Sequence, residues 1–171
     1  MPPAKGRSQM RTLEGSCHCG AVRFTVKSHT PQPYMHCYCS ICRKTAGGGG
    51  YAINIMGEAK TLAVTGRQHL AYYRAKLPED GKTVHSPARR HFCKRCGSAL
   101  FISDPRWPKW VYPHASAIDT PLPKPKELAH IMLDSKAPWV AVPGGKKNRK
   151  FADYPDQSIA DWHKARGLYE K

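Results

Sequence analysis

The sequence predicts a mainly β protein made of small antiparallel sheets with a short C-terminal helix, and three observations predict it. Short runs of apolar and β-branched residues recur along the chain, and in residues 21–27 (AVRFTVK) apolar and polar side chains alternate. The 15 prolines and 14 glycines lie mostly between such runs, where they end strands and form turns. The clearest helix signature lies near the C-terminus.

The alternation in residues 21–27 is typical of a strand with one buried face. Val22, Phe24 and Val26 alternate with charged or hydroxyl-bearing residues, and this period of two predicts an antiparallel sheet with one face in solvent. One turn of helix is predicted at residues 40–45. Further strands are predicted at residues 51–56, 61–65, 69–74, 99–103, 110–114 and 128–133.

The C-terminal helix is predicted at residues 159–166. Ser158 is a suitable N-cap, an acidic residue follows three positions later, and Gly167 ends the helix. We expect Trp162 to anchor this helix in the core, and Trp139 to anchor a C-terminal strand.

The chain has 171 residues, which fits one domain. We expect a flexible leader at residues 1–11 and a single domain at residues 12–171. No run of about 18 apolar residues occurs, so we expect no membrane span. The basic N-terminus is not followed by an apolar stretch, so we expect no secretory signal and a cytoplasmic protein.

The chain is strongly basic, with 28 Lys and Arg against 12 Asp and Glu and a formal net charge of +16. Such a field attracts anions of any kind, including nucleic acid, phosphate and a small anionic substrate. The basic residues are dispersed, and only residues 144–150 (GGKKNRK) form a short block. Nucleic acid is therefore not the expected partner.

All seven cysteines fall into three clusters. The clusters are CHCG (Cys17, Cys19), HCYCSIC (Cys37, Cys39, Cys42) and FCKRCGS (Cys93, Cys96). In a reducing compartment, clustered thiols more often bind metal or carry out chemistry than form disulfides. The last cluster resembles half of a zinc knuckle, because two thiolates separated by two residues fit one tetrahedral ion and Gly97 permits the tight turn.

Counting ligands suggests how the thiols are shared. Cys17 and Cys19 can hold one ion together, since residues two apart on an extended segment point to the same side. With the late pair they give four thiolates, the closed set of a structural zinc site, and close a loop of about seventy residues. The thiols that then remain are those of Cys37, Cys39 and Cys42. Three protein ligands with an open fourth position are typical of a catalytic zinc. Spacing alone leaves open a second partition, in which the late pair joins two thiols of the middle cluster.

The residues next to the middle cluster are not expected to be ligands, but some of them can shape the site. No histidine has ligand spacing, and His36 would point away from Cys37 on an extended segment. Arg43 and Lys44 follow the cluster directly, and they either offset the charge of three thiolates on zinc or are ordinary solvated charges. The consecutive glycines at 47–50 predict a close approach of substrate or of another part of the chain.

Three segments in order, GSCHCGAVRF, HCYCSICRK and FCKRCGSALF, resemble the cysteine motifs of the GFA family. The family is named for the glutathione-dependent formaldehyde-activating enzyme and also contains centromere protein V. The likeness continues through HIMLDSKAPWV and YPDQSIADWHKARG. It implies a zinc-stabilised β-tent fold with two zinc ions per chain. The implied ligands are Cys17, Cys19, Cys93 and Cys96 for a structural zinc, and Cys37, Cys39 and Cys42 for a catalytic zinc.

The resemblance also implies an activity: addition of the glutathione thiol to formaldehyde, which gives S-hydroxymethylglutathione and whose reverse is a carbon-sulfur lyase reaction. The glycines at 47–50 depart from the bulkier or hydroxyl-bearing segment expected in the formaldehyde enzyme, so a related small carbonyl compound is a further possible substrate. Two alternatives remain open. One is a zinc hydrolase acting at the same open zinc, and the other is a non-catalytic, zinc-folded binding module with a basic surface.

Overall fold

The computed structural model describes residues 9–171, and these form mainly short strands, as predicted. The strands are β1 (Arg11–Ser16), β2 (Arg23–Ser28), β3 (Met35–Cys37), β4 (Ala52–Ile53), β5 (Gly57–Glu58), β6 (Ala63–Thr65), β7 (Leu70–Tyr73), β8 (Lys76–Glu79), β9 (Lys82–His85), β10 (Arg89–Cys93), β11 (Ala99–Ser103), β12 (Trp110–Pro113), β13 (Leu128–Ile131) and β14 (Asn148–Lys150). The α-helices of this part of the chain are α1 (Ser40–Ala46) and α2 (Ile159–Ala165).

Short 3-10 helices connect some of the strands, at Ala59–Thr61, Arg67–His69, Ala115–Ala117 and Leu133–Ser135. Among the described residues, no helix has the length and apolar character that crossing a membrane requires. The expected leader, residues 1–11, falls mostly on residues 1–8, which lie outside the described residues, while Arg11 begins β1.

The strands form four sheets. In spatial order these are β1-β2-β6, β5-β12-β11-β10-β7, β14-β13-β3-β4 and the hairpin β8-β9. The first sheet packs on the second through a core in which the rings of Phe24 and Phe101 meet edge to face, with centroids 5.6 Å apart. Along β2 the side chains are alternately buried and exposed, which confirms the strand predicted from the period of two.

The four-stranded sheet corrects one expectation, because it is not antiparallel throughout. β13 runs parallel to both β3 and β14, with Ala129 opposite Met35 and Ile131 opposite Cys37. The long connection between β3 and β13 permits this direction, which a hairpin would forbid. Strands inside such a sheet are covered on both faces, so they show little alternation. All of β3 and most of β13 are indeed buried.

Several strands were not predicted, namely β1, β3, β5, β8, β9, β10 and β14. β1 (RTLEGS) and β10 (RRHFC) contain few residues with high strand propensity. They become strands through pairing: β1 matches β2 over six positions, and β10 lies between β7 and β11. Tertiary pairing therefore outweighs local propensity here. Conversely, the runs predicted at 51–56 and 128–133 are strands only in part.

The C-terminal helix forms as predicted and closes a second core. The Ser158 hydroxyl accepts a hydrogen bond from the backbone N–H of Asp161 at 3.1 Å, which caps α2. Trp162 is buried and stacks on Tyr34, with ring centroids 3.6 Å apart. The same prediction was wrong for Trp139, which is 69% exposed because its segment forms a turn and not a strand.

Candidate metal centres

The first cysteine cluster joins two distant turns of the chain. Cys17 follows β1, Cys19 lies in the next turn, Cys93 ends β10 and Cys96 lies in the turn before β11. Their four sulfurs all lie within 4.8 Å of one another. The Cys17 and Cys19 sulfurs are 3.6 Å apart, and those of Cys19 and Cys93 are 3.8 Å apart.

These separations fit a zinc ion. Tetrahedral zinc holds each sulfur at about 2.3 Å, which places neighbouring sulfurs roughly 3.8 Å apart. A disulfide would require about 2.0 Å, and all seven cysteines are free thiols. The first cluster can therefore hold a metal ion, and its all-thiolate donor set is consistent with zinc.

The thiolate form is favoured at Cys17 and Cys96 of this cluster. At Cys19 a backbone hydrogen bond with Ala21 is outweighed by desolvation and by hydrogen bonds with the other thiols, which raise the pKa of Cys19 to about 11. Gly97 has a φ of +76°, and its N–H donates to the Cys93 carbonyl oxygen at 2.8 Å, which tightens the turn as predicted. The backbone N–H of Val22 donates to the Cys17 sulfur at 3.2 Å. A hydrogen bond with the Ser98 side chain, 3.2 Å away, lowers the pKa of Cys96 to about 5.

The second cluster lies at the junction of β3 and α1. Cys37 ends β3, Cys39 is the N-cap of α1, and Cys42 lies one turn into that helix. Their three sulfurs also lie within 4.8 Å of one another, so this cluster too can hold a metal ion. Cys37 and Cys42 are buried, and Cys39 is partly exposed.

Cys39 is the preferred thiolate of this trio. Hydrogen bonds with Cys37 and Cys42 lower the pKa of Cys39 to about 2, and the same arrangement raises the pKa of Cys37. The backbone N–H of Cys42 also donates to the Cys39 sulfur at 3.3 Å. A chain of thiols around one thiolate is the arrangement that a cation would convert to three thiolates.

No fourth ligand completes the second cluster within residues 9–171. No further Cys, His, Asp or Glu atom lies within 4.8 Å of all three sulfurs. His36, next to Cys37 in sequence, stacks on Tyr51 at 4.4 Å and meets His130 edge-on at 5.2 Å. The structure therefore groups the seven sulfurs as four and three, with the sulfurs of Cys93 and Cys96 beside those of Cys17 and Cys19.

The glycines after the second cluster confirm the expected close approach at two positions. A Cβ atom at Gly47 would lie 2.3 Å from the Tyr51 carbonyl oxygen, and one at Gly50 would lie 2.3 Å from Cγ2 of Val140. A Cβ atom at Gly48 would have no neighbour within 4 Å. The approaching groups belong to the chain itself, so this run of glycines lets the segment after α1 pack tightly.

One charged residue near the second cluster was not predicted from the sequence. The hydrogen bond with Cys37 lowers the pKa of Cys42, but the hydrogen bond with Cys39 and burial outweigh it and raise the pKa; the positive charge of Arg90 on β10 also opposes this rise. The sequence suggests only Arg43 and Lys44 for this role, because they follow Cys42 directly. Arg90 lies 48 residues after Cys42, so only the fold reveals its position.

Comparison with known proteins places the chain in a family. A sequence model described as "GFA: Glutathione-dependent formaldehyde-activating enzyme" matches residues 12–135. A Halomonas elongata protein, whose name provisionally assigns it as a glutathione-dependent formaldehyde-activating enzyme, is 59% identical over 158 residues. That match covers 92% of this chain and 98% of the relative.

A solved structure of a Rhodobacter sphaeroides protein is 25% identical and covers 64% of this chain and 91% of its own, with a TM-score of 0.49. The family match covers most of the described chain and includes all three cysteine clusters. The relative matches over almost its whole length at high identity. The chain therefore belongs to the GFA family of glutathione-dependent formaldehyde-activating enzymes.

Proposed function

We propose that this chain is a zinc-dependent enzyme of the carbon-sulfur lyase type, which adds the thiol of glutathione reversibly to formaldehyde or a related small carbonyl compound. The observation that carries the proposal is the second cysteine cluster, where three sulfurs converge and no fourth ligand joins them within residues 9–171. Zinc with three protein ligands keeps a position for an exogenous group. Family membership supplies the reaction class.

We propose a division of labour between the two clusters. A structural zinc is held by Cys17, Cys19, Cys93 and Cys96. An ion there joins segments 74 residues apart and so constrains the chain strongly. Cys37, Cys39 and Cys42 hold a catalytic zinc. These three lie within six residues of sequence, so an ion there closes almost no loop and contributes less to folding.

The proposed reaction balances without an oxidant or reductant. The thiol adds across the carbonyl group: a carbon-sulfur bond forms, the carbon-oxygen π bond breaks, and the thiol proton passes to the former carbonyl oxygen. Zinc, when bound, supplies Lewis acidity that lowers the pKa of a coordinated thiol.

The chain itself supplies the setting for this chemistry. Burial of Cys37 and Cys42 excludes water from one side of the cluster, and the net charge of +16 attracts an anionic thiol such as glutathione. We place the protein in the cytoplasm, since free clustered thiols are typical of a reducing compartment. Residues 12–171 act as one domain in this proposal.

Metal analysis of two cysteine variants tests the division of labour. Zinc is measured by mass spectrometry in the purified wild type and in the Cys42→Ser and Cys96→Ser variants. We expect two zinc ions per chain in the wild type and one in folded Cys42→Ser. Cys96→Ser should lose the ion of the first cluster. Its free energy of unfolding should be lower than that of the wild type by about 3 kcal/mol or more, which corresponds to a fall in Tm of roughly 6–12 °C. Equal destabilisation by both substitutions would contradict the assignment.

The reaction is tested in the same samples by exchange NMR of glutathione and formaldehyde. We expect the wild type to accelerate formation of S-hydroxymethylglutathione, and Cys42→Ser to lose this acceleration while it keeps the fold. A fully zinc-loaded wild type that leaves the exchange rate unchanged would overturn the proposed reaction. The binding-module alternative would then be tested through salt-dependent affinity for nucleic acid.

A further inference from the structure

Several buried polar side-chain atoms have no hydrogen-bond partner within residues 9–171. They include Nε and Nη1 of Arg90 and Nδ1 of His114. Leaving a buried polar group unpaired costs about 1–3 kcal/mol, more when the group is charged. Most such groups in native proteins are paired, so these atoms indicate a place where a ligand supplies the missing partner.

Arg90 and His114 face a common cavity. It has a volume of about 200 Å³, and its lining includes Arg90, His114 and Thr45. Thr45 lies on α1 three residues after Cys42, and residues at this spacing are neighbours on a helix surface. The cavity therefore lies beside the helix that carries the third cysteine of the second cluster.

The charge of this cavity favours an anion. Arg90 carries a guanidinium cation, and none of the ion pairs formed within residues 9–171 includes it. Burial lowers the pKa of His114 to about 4, and the charge of Arg90 adds to this lowering. His114 is then neutral near pH 7, so it places no second positive charge beside Arg90 and can donate one N–H.

We infer that Arg90 and His114 form a carboxylate-binding subsite, which holds a carboxylate of the thiol substrate while its sulfur reaches Cys37, Cys39 and Cys42. The identity of the ligand rests on the proposed function, since glutathione carries carboxylates at both ends of a short flexible chain. The cavity volume suits a carboxylate and its adjoining carbon atoms and not the whole tripeptide. Arg90 supplies the charge, and His114 supplies a directed hydrogen bond.

Binding measured by calorimetry tests this inference without any turnover. The probe is S-methylglutathione, compared with its dimethyl ester, in which both carboxylates are neutralised. We expect the zinc-loaded wild type to bind the acid about tenfold to hundredfold more tightly than the ester, as one charge-assisted contact provides. In Arg90→Met this preference should vanish, and in Arg90→Lys, which keeps the charge, it should persist in part.

The matched control is Arg89→Met. Arg89 is the preceding residue on β10, is exposed, and lies over the Tyr72 ring at 5.2 Å. Neighbours on a strand point to opposite faces, so this control removes an equal charge outside the cavity and should keep the preference for the acid. Zinc content and circular dichroism establish that each variant is folded. If Arg90→Met does not fold, the test rests on whether Arg90→Lys keeps only part of the wild-type preference for the acid.

The outcomes separate this inference from the proposed reaction. A wild type that forms S-hydroxymethylglutathione, with an Arg90→Met variant that still prefers the acid as strongly, overturns the subsite and leaves the reaction standing. A wild type that prefers the acid through Arg90 but catalyses no exchange supports the subsite and overturns the reaction. Equal affinity of the wild type for acid and ester also overturns the subsite, since no contact with a carboxylate then contributes to binding.

Discussion

The Tyr38 hydroxyl lies 2.9 Å from Nδ1 of His130, and both side chains are fully buried. Nε2 of His130 lies 3.2 Å from Oδ1 of Asn148, whose own amide nitrogen donates to the Gly144 carbonyl oxygen at 2.6 Å. The Asn148 oxygen therefore accepts from His130 Nε2–H, and Nδ1 of His130 accepts from the tyrosine. This hydrogen-bonded chain holds the segment between Cys37 and Cys39, the first two cysteines of the second cluster, against the strands β13 and β14.

Removing the tyrosine hydroxyl should destabilise the protein, because it leaves a buried imidazole nitrogen without a donor. We expect Tyr38→Phe to lower the free energy of unfolding by about 1–3 kcal/mol, measured by urea denaturation with zinc in excess. Tyr154→Phe is the control, since Tyr154 is 74% exposed. Similar stability of the two variants would show that the hydroxyl of Tyr38 contributes nothing.

Gly50 should not tolerate a side chain. Its φ is +89°, and a Cβ atom there would lie 2.3 Å from Val140 and 3.2 Å from the Trp139 ring. We expect Gly50→Ala to cost about 1–3 kcal/mol through backbone strain and overpacking. Gly48→Ala, with nothing within 4 Å, should leave the urea midpoint unchanged or slightly raised. Equal midpoints for both variants would argue against the tight packing of this turn.

The two tryptophans that were expected to anchor the core should differ sharply in how much each contributes to the free energy of unfolding. Trp162 is 3% exposed and stacks on Tyr34, so Trp162→Ala should reduce the free energy of unfolding by about 3–5 kcal/mol. Trp139 is 69% exposed, and Trp139→Ala should cost under about 1 kcal/mol. Thermal unfolding of both variants decides the matter, and a larger loss for Trp139→Ala would contradict the packing described.

His163 should make the fold sensitive to acid. Its Nδ1–H donates to the Ile159 carbonyl oxygen at 2.7 Å, and its Nε2 accepts from the Gln32 N–H at 3.2 Å, so the neutral ring is fully paired. Burial lowers the pKa of His163 from 6.5 to about 4. Below pH 6.5 the unfolded chain binds a proton that the folded chain does not, so stability is lost as the pH falls from 6.5 towards 4.

The measurement compares the wild type with His163→Gln, which stays neutral. Between pH 7 and pH 5, the wild type should lose roughly 2 kcal/mol more unfolding free energy than the variant. The zinc ligands and the other histidines are common to both proteins, so their titration cancels in the difference. The prediction is falsified if the two proteins lose the same stability over this range.

Features that depend on neighbouring residues were predictable from the sequence. The alternation around Phe24 identified β2, and the serine cap with its terminating glycine identified α2. The spacing of the cysteines predicted clusters that can hold metal, since two or three thiols within a few residues are brought together by local backbone alone. In each case the relevant contacts lie within about one turn or one strand of the residue concerned.

Features that depend on long-range pairing were not predictable in this way. The parallel pairing of β3 and β13, the strands β1 and β10, and the exposure of Trp139 all follow from which segments meet in space. Local propensity is a weak guide where pairing with a neighbouring strand supplies most of the stabilisation.

Clusters of thiols suited to metal, a mainly β framework and one capped C-terminal helix can all be read from the sequence. The grouping of the thiols follows only from the fold, because Cys19 and Cys93 meet across 74 residues of chain and the remaining three stay together beside α1. The fold also brings the charge of Arg90 to bear on the pKa of Cys42. Side chains far apart in sequence become neighbours only when the sheets close, and no local pattern records that closure.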